Sequence, residues 1–317
     1  MSSNACEVSK RIDFLKLAWT LERLHNKTIL ITGASRGIGK AISIACAAAG
    51  ARVVLVARNQ DDLDLTSQSV RALGKPVLAL VGDVSVPGDV AQFIQTALTE
   101  FGTIDVLINN AGRQRPIGPL AEIEPEEWIR TVAVNLIGPM LCCRGVLPGM
   151  IQQRLGKIIN MSGGGATAPR PNFSAYAASK AAVVRLTETL AREVQEFGID
   201  VNAVAPGAIN TAMTQEVLTA GARAGQDELL GAQRQQREGG ASVDLACELV
   251  VFLSSSDSDG LTGKLISAVH DPWRQWAGHG PELSNSPMYT LRRLDPFTSA
   301  NVGWEIKGPS LSPSKSS

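Results

Sequence analysis

Short apolar runs alternate with longer stretches of helical periodicity from Lys27 to about residue 270. Seven of the runs are candidate β-strands: TILITG, RVVLVAR, PVLALVGDV, VLINNAG, GKIINMS, DVNAVAP and GKLISAV. They lack the strict apolar and polar alternation of a strand with one exposed face, which is typical of a parallel sheet that helices cover on both sides. The pattern therefore predicts an α/β fold with a doubly wound, parallel, seven-stranded sheet and helices on both faces.

The connection after the first strand is a glycine-rich turn that opens a helix. The turn, TGASRGIG, runs from Thr32 to Gly39, and Ile38, Ile42 and Ala45 begin the apolar face of the helix. Glycine permits a tight turn and close approach of the backbone to a pyrophosphate, while the first helix amides face the negative charge. Glycine-rich turns also occur for purely conformational reasons. The strand before this turn and the helix after it indicate a Rossmann-type dinucleotide-binding unit.

The end of the second strand bears on which dinucleotide is bound. An acidic residue about 20 residues beyond the turn would bind a ribose 2′-hydroxyl, but this strand ends in Val56-Ala57-Arg58-Asn59. Arg58, together with Arg36 in the turn, is suited to form charge-assisted hydrogen bonds to a 2′-phosphate. The sequence therefore favours NADP(H), and NAD(H) stays possible if both arginines are ordinary surface charges.

The composition narrows the range of partners. The 317 residues are 44% hydrophobic and 19% charged, which suits one α/β domain with appendages. Thirty basic residues balance thirty acidic ones, so the overall field attracts neither a polyanion nor an anionic membrane. No segment approaches the roughly 18 apolar residues of a membrane span. We expect no nucleic-acid partner and no membrane insertion.

Cysteine and histidine usage favours a reducing compartment and argues against metal chemistry. The five cysteines show neither CxxC spacing nor a regular framework, and an odd number cannot all pair within one chain. His25, His270 and His279 do not stand at ligand spacing with a cysteine or with one another. The sequence therefore predicts a cytoplasmic protein with no structural metal.

Five motifs occur in the order and approximate spacing of one enzyme family: TGASRGIG at 32–39, NNAG at 109–112, Asn135, YAASK at 176–180 and PGAINT at 206–211. In these motifs the chain resembles the classical short-chain dehydrogenase/reductase family over about residues 26–268. The resemblance implies a catalytic domain over 27–270, and a homodimer or homotetramer. It also implies a dinucleotide held by Gly33, Ser35, Arg36, Gly37, Ile38, Gly39, Arg58, Asp83, Val84, Asn109, Ala111, Gly112, Tyr176, Lys180, Pro206, Gly207, Ile209 and Thr211.

Tyr176 and Lys180 stand four residues apart in an alanine-rich helix and therefore share a face. A tyrosine with a pKa near 10 is a poor acid or base at neutral pH, but an adjacent ammonium and an oxidised nicotinamide favour its phenolate. We expect Tyr176 to move the proton and Lys180 to lower its pKa and to bond the nicotinamide ribose. By resemblance, Asn135 anchors a water that links Lys180 to solvent. Alternatively, Tyr176 is a half-buried aromatic that uses its hydroxyl as a polar handle.

The sequence departs from the family pattern just upstream of the tyrosine. The family's catalytic serine stands thirteen residues before the tyrosine, and this position is Gly163. Ser162 is one residue away and should face away from Tyr176, because successive side chains of a strand point to opposite faces. Three outcomes stay open: Ser162 turns in as the catalytic donor, a backbone amide of the glycine run replaces it, or activity is impaired. Losing such a donor costs roughly 100- to 1000-fold in rate.

The segment 211–242 lies where the family carries a mobile lid over the substrate, and it is rich in Gln, Arg and Gly. Arg223, Arg234 and Arg237 either meet an acidic group of the substrate or form the solvated face of short helices.

Both ends of the chain extend beyond the family pattern. In the extension 1–26, Phe14, Leu17 and Leu21 recur at helical spacing, which predicts a short amphipathic helix; a mis-assigned translation start is the alternative. The extension 271–317 contains Trp273, Trp276 and Trp304, and its last ten or so residues are expected to be disordered. Its tryptophans either cover the substrate pocket or a neighbouring subunit, or pack on the protein's own surface.

The residues support two hypotheses of different classes. The first is an oxidoreductase that interconverts a secondary alcohol and a ketone or aldehyde with NADP(H), acting on a small-molecule substrate. The second is a dinucleotide-binding regulator or scaffold that kept the fold and lost efficient turnover, which Gly163 and the unusual C-terminus suggest. The retained trio of Asn135, Tyr176 and Lys180 favours the enzyme.

Overall fold

A computed structural model describes residues 23–293 of the chain. The expected N-terminal amphipathic helix and the expected disordered C-terminal residues lie outside this range. The same holds for Trp304.

The seven predicted strands form one sheet in which every pairing is parallel, as the sequence indicated. The spatial order is β3-β2-β1-β4-β5-β6-β7, so the chain reverses its direction of travel across the sheet between β3 and β4. This places β4 directly beside β1, with Ile31 opposite Ile108. The strands are β1 Thr28–Thr32, β2 Arg52–Ala57, β3 Val77–Val81, β4 Val106–Asn109, β5 Gly156–Met161, β6 Ile199–Ala205 and β7 Leu265–Ser267.

Helices connect the strands and cover both faces of the sheet. They are α1 Gly37–Ala48, α2 Gln60–Arg71, α3 Pro87–Phe101, α4 Pro125–Val132, α5 Gly138–Gln153, α6 Ser174–Glu193, α7 Ala212–Ala220, α8 Gln226–Glu238, α9 Val243–Ser254 and α10 Gly280–Asn285. Between α4 and α5 the chain forms one π-helical segment, Ala133–Ile137.

The core consists of two main clusters, one on each face of the sheet. Ile29 and Ile31 face one cluster, in which α1, α2 and α9 pack. Leu30, between them, faces the other cluster, in which α3, α5 and α6 pack. Both sets of strand side chains are fully buried, which explains why the strands read as continuous apolar runs without polar alternation.

Helices α4 and α5, with the π segment between them, form one helical run over Pro125–Gln153. By its length and its apolar composition alone, this run could cross a membrane. Its side chains Cys142, Cys143 and Val146 are buried against the sheet. A single run of this kind is weak evidence for a membrane span, because the core helix of a soluble protein meets the same criterion.

The described part of the C-terminal extension packs on the chain's own surface. Trp273 lies 5.8 Å from the Phe252 ring, measured between centroids, and its indole N–H donates to the carbonyl of Ala268. The ring centroids of Trp276 and Tyr289 lie 4.7 Å apart. The amide of Leu265 donates to the Tyr289 carbonyl, so the extension covers β7 at the edge of the sheet. Trp273 and Trp276 therefore pack within the chain, while a contact of the extension with a neighbouring subunit stays a prediction.

Candidate active site

A large cleft of about 2030 Å³ lies at the carboxyl ends of the strands. It forms where β1 and β4 lie side by side, because their connections leave in opposite directions and open a crevice there. The α7–α8 segment (211–242) and the residues Tyr289 and Thr290 border it as well. Of the expected site residues, the cleft is lined by Gly33, Ser35, Arg36, Gly37, Ile38, Gly39, Arg58, Asp83, Val84, Ala111, Gly112, Ser162, Tyr176, Lys180, Pro206, Gly207, Ile209 and Thr211.

The glycine-rich turn approaches the end of β4 so closely that side chains are excluded. Gly33 has a φ of +65°, and a Cβ there would lie 2.8 Å from the Cα of Ala111. A Cβ on Gly39 would collide with the carbonyl oxygen of Gly33. Arg36 precedes α1 without capping it by its side chain, so the first amides of α1 have no side-chain partner there. The turn therefore leaves a backbone cradle that fits a pyrophosphate.

Asn110 holds this turn in place, a role that the sequence analysis missed. Its side-chain amide donates to the carbonyls of Thr32, at 2.9 Å, and Gly33, at 3.1 Å. Asn109, which was expected to bind the cofactor, does not reach the cleft. Its amide instead donates to Asn160 Oδ1 at 2.8 Å inside the sheet layer. Neighbouring side chains of a strand face opposite sides, so only one asparagine of the pair can border the cleft.

Arg58 directly follows the second strand and borders the cleft. Its side chain is 62% exposed, and its guanidinium lies 3.5 Å from Asp83 Oδ2. Burial alone would raise the pKa of Asp83, but hydrogen bonds from Ser85 and the charge of Arg58 outweigh it and lower the pKa. Asn59 caps α2 by accepting from the amide of Asp62, so Arg58 is the strand-end side chain that stays available to a ligand.

Tyr176 and Lys180 lie together on α6 in the floor of the cleft, both almost fully buried. Lys180 Nζ is 5.7 Å from the centre of the tyrosine ring and donates to the carbonyl of Met161 at 2.7 Å. Burial lowers the pKa of Lys180 from 10.5 to about 8. Burial also raises the pKa of Tyr176, although the charge of Arg170 opposes this. The expected lowering by Lys180 is therefore not seen: among the protein groups alone, desolvation outweighs charge.

Asn135 lies in the π-helical segment and is fully buried behind this pair. Its side chain accepts from the amide of Arg113, donates to the carbonyl of the same residue, and donates to Ser179 on α6. A Cβ on Gly112 would lie 3.5 Å from Asn135 Oδ1 and 3.6 Å from Lys180 Nζ. Asn135 therefore fixes the loop after β4 against α6. The water that the family resemblance assigns to it stays a prediction.

Gly163, and not Ser162, stands beside the reacting hydroxyl. A Cβ on Gly163 would lie 2.5 Å from the oxygen of Tyr176. The hydroxyl of Ser162 is directed to the carbonyl oxygen of Lys180, at 3.5 Å. Successive residues here still point to opposite sides, as they do in the strand before them. Ser162 therefore does not face Tyr176. Its role as a catalytic donor stays a prediction that this geometry does not favour.

The α7–α8 segment borders the cleft beside Tyr176. Its Val217, Ala224 and Ala232 form a small apolar cluster with Phe173 and Tyr176.

Ion pairs add to the attachment of this segment. Glu228 of α8 pairs with Arg170, and Arg223 pairs with Glu122. Arg237 pairs with Glu238, whereas Arg234 lines the cleft. Arg223 and Arg237 therefore form exposed ion pairs with glutamates of the chain. Arg170, which no sequence signal distinguished, faces the reacting centre. In residues 23–293, no cluster of three or more His, Cys, Asp or Glu residues is arranged to hold a metal ion.

Comparison with known proteins shows which family the chain resembles over most of its length. The family model for short chain dehydrogenases matches residues 27–221. The 3-oxoacyl-(acyl-carrier-protein) reductase of Staphylococcus epidermidis is 35% identical over 245 residues, which is 76% of this chain and 96% of the relative. The corresponding reductase of Synechocystis is 40% identical over 195 residues, 61% of this chain and 78% of the relative.

Solved structures share the fold. The NAD⁺-bound xylitol dehydrogenase superposes with a TM-score of 0.73 at 27% identity, over 77% of this chain and 98% of that chain. A gluconate 5-dehydrogenase from Burkholderia cenocepacia, in complex with NADP and tartrate, gives a TM-score of 0.70 at 33% identity, over 79% and 96%.

Replacing Lys180 should stabilise the fold at neutral pH. The folded-state pKa, about 8, lies below the unfolded value of 10.5, so burying the ammonium opposes folding below pH 8, and this penalty disappears as the pH rises to 10.5. After allowing for the lost hydrogen bond, we expect Lys180→Met to raise the free energy of unfolding at pH 7 by about 1–2 kcal/mol. Urea titrations at pH 7 and pH 10.5 measure this, and an equal gain at both would contradict it.

Proposed function

The chain belongs to the short-chain dehydrogenase family, and from this premise we propose that it interconverts a secondary alcohol and a ketone or aldehyde with NADP(H). One observation carries the proposal: Tyr176 is buried beside Lys180 in the floor of the cleft. The glycine-rich turn lines the other end of the same cleft. A binding module has no need of this pair.

The dinucleotide supplies the hydride when it is bound, and the protein's task is orientation and proton transfer. In reduction, the hydroxyl of Tyr176 donates its proton to the oxygen of the substrate carbonyl; in oxidation, the phenolate takes that proton back. Because burial raises the pKa of Tyr176, the hydroxyl is protonated at neutral pH, which suits the reductive direction. Lys180, with a pKa of about 8, carries its charge at neutral pH and holds the carbonyl of Met161.

The absence of a side chain at Gly163 is part of the proposed site. The tyrosine oxygen takes up the space that a Cβ would need, so Tyr176 reaches the edge of the glycine run. The serine hydroxyl that the family places here is replaced by backbone alone. We propose a working enzyme whose substrate oxygen is held by fewer side-chain donors than is usual in the family.

NADP(H) is the proposed cofactor because Arg58 stands where an acidic residue would select NAD(H). Its exposed guanidinium and that of Arg36 both border the cleft, so a 2′-phosphate can be bound between them. The related structures include one with NAD⁺ and one with NADP, so NAD(H) is the alternative.

The wider setting is part of the same proposal. The related proteins act, by their names, on 3-oxoacyl groups, xylitol and gluconate, so a small-molecule substrate with a hydroxyl or carbonyl group is proposed here. Cys46, Cys142 and Cys143 are buried thiols, which suits a cytoplasmic protein. A homodimer or homotetramer is proposed from the family resemblance.

The alternative function is a dinucleotide-binding regulator, which Gly163 favours. It differs from the enzyme in one testable respect, which is turnover.

Tyr176→Phe should abolish turnover and leave dinucleotide binding intact, because the ring stays in place and only the proton donor is lost. We expect kcat/KM for ketone reduction to fall by about 100- to 10,000-fold. The measurement is NADPH oxidation against a panel of ketones and aldehydes, with NADPH affinity determined by fluorescence. Tight NADPH binding without turnover by the wild type would favour the regulator.

Arg58→Ala should weaken NADP(H) selectively, since its guanidinium is proposed to bind the 2′-phosphate. We expect the KM for NADPH to rise by about 10- to 100-fold, from the loss of charge-assisted hydrogen bonds, and the KM for NADH to stay unchanged. Arg71→Ala, an exposed arginine at the end of α2, is the matched control. Equal losses for both cofactors would contradict the assignment.

Gly163→Ala and Gly164→Ala form a matched pair that tests the reacting geometry. A methyl group at 163 would displace the Tyr176 hydroxyl, whereas a Cβ at 164 would meet nothing within 4 Å. Because small misplacements of a reacting group are costly, kcat of Gly163→Ala should fall by about 100-fold, with Gly164→Ala close to the wild type. Similar kcat values for the two variants would disprove the close approach.

A further inference from the structure

A bidentate ion pair joins the α7–α8 segment to the loop that precedes α6. Arg170 Nε lies 2.7 Å from Glu228 Oε1, and its Nη2 lies 2.8 Å from Oε2. The side chain of Arg170 is only 17% exposed. Two parallel N–H···O bonds in a partly buried place make this the strongest polar contact between the segment and the rest of the chain.

The same pair is placed beside the reacting tyrosine. The guanidinium of Arg170 stacks 3.9 Å from the centre of the Phe173 ring and lies 5.3 Å from the centre of the Tyr176 ring. Within residues 23–293, the charged groups that act on Tyr176 are Lys180 from its own helix, Arg170 from the preceding loop and Glu228 from α8. The end of β5 contributes the uncharged Gly163 there, and α7 contributes the apolar Val217.

The two charges of the pair act on Tyr176 in opposite senses. A nearby guanidinium favours the phenolate, whereas a nearby carboxylate favours the protonated hydroxyl. With Glu228 against Arg170, the carboxylate offsets part of the effect of the guanidinium on Tyr176. If Glu228 withdraws, Arg170 keeps its charge and its position over Phe173, and the balance moves toward the phenolate.

The apolar contacts of the segment that carries Glu228 are few, and they centre on the small cluster of Val217, Ala224 and Ala232. The exposed pairs of Arg223 with Glu122 and of Arg115 with Glu216, and a hydrogen bond from Gln114 to the carbonyl of Met213, add polar contacts to the body. Segments with little buried apolar area open at low free-energy cost.

From this arrangement we infer that Arg170 and Glu228 are positioning residues for proton transfer: docking of Glu228 on Arg170 keeps Tyr176 protonated as the donor for reduction, and undocking favours the phenolate that accepts a proton in oxidation. The inference rests on the proposed function only for the role of Tyr176. The charge arrangement itself can be tested without cofactor or substrate.

The chain contains two tyrosines, so one substitution isolates the signal of Tyr176. In a Tyr289→Phe background, which keeps the ring against Trp276, the absorbance of tyrosinate titrates Tyr176 alone. The absorbance is recorded directly after a rapid pH jump, before the protein unfolds at alkaline pH. We expect Glu228→Gln to move the titration midpoint down by about one pH unit and Arg170→Met to move it up by about one unit. Arg170→Lys keeps the charge and should stay within a few tenths of the wild type.

Glu122→Gln is the control for simple loosening of the segment. It breaks another ion pair that attaches the segment, but Glu122 is not among the charged groups that act on Tyr176, so the midpoint should not move. Shifts of the same sign in Glu228→Gln and Arg170→Met would overturn the inference. So would an equal shift in Glu122→Gln, because the effect would then come from structure and not from charge. Glu228→Gln is nearly isosteric, so the test does not depend on Arg170→Met folding.

The pH dependence of alcohol oxidation supplies the second reading. Its apparent pKa should move in the same directions as the absorbance midpoints. An enzyme without turnover would defeat the proposed function while the absorbance titration still decided the inference. Turnover with unmoved midpoints would defeat the inference alone.

Discussion

The site depends on the contact between the glycine-rich turn after β1 and the end of β4. Gly33 lies so close to the backbone of Ala111 that a side chain at position 33 has no room, and the side-chain amide of Asn110 donates to the carbonyls of Thr32 and Gly33 across the gap. The contact exists because β1 and β4 are neighbours in the sheet, with the chain leaving in opposite directions on either side of them. One backbone contact therefore opens the cleft, exposes the amides of α1 and brings the loop of Gly112 over Lys180.

Burial sets the chemistry of the other end of the cleft. Lys180 and Tyr176 are both desolvated, which favours the neutral form of each and places the pKa of Lys180 at about 8. A tyrosine that stays protonated at neutral pH is suited to donate, and the charges around it then decide how easily it becomes a base. Arg170 and Glu228 are the charges whose relation changes if the α7–α8 segment moves. The catalytic balance and the closure of the cleft are therefore linked through one ion pair.

The parts of the chain that border the cleft are held with very different strength. The C-terminal residues 271–293 bury Trp273 and Trp276 and pair with the edge strand β7, so they belong to the body of the protein. The α7–α8 segment rests on a small apolar cluster, on ion pairs and on a hydrogen bond from Gln114 to Met213. Because it buries less apolar area, motion at the border of the cleft is expected in this segment.

The sequence by itself determined the features that depend on near neighbours along the chain. The seven strands, the glycine turn and the shared face of Tyr176 and Lys180 follow from local periodicity, and the turning away of Ser162 follows from strand alternation. The tertiary structure alone decided what depends on distant residues. It selected Asn110 over Asn109, because the face of β4 that borders the cleft is set by its neighbours. It brought Arg170 to Glu228 across 58 positions. It also decided that, among the protein groups alone, burial raises the pKa of Tyr176, because desolvation depends on how completely the whole fold buries a group, which no local pattern records.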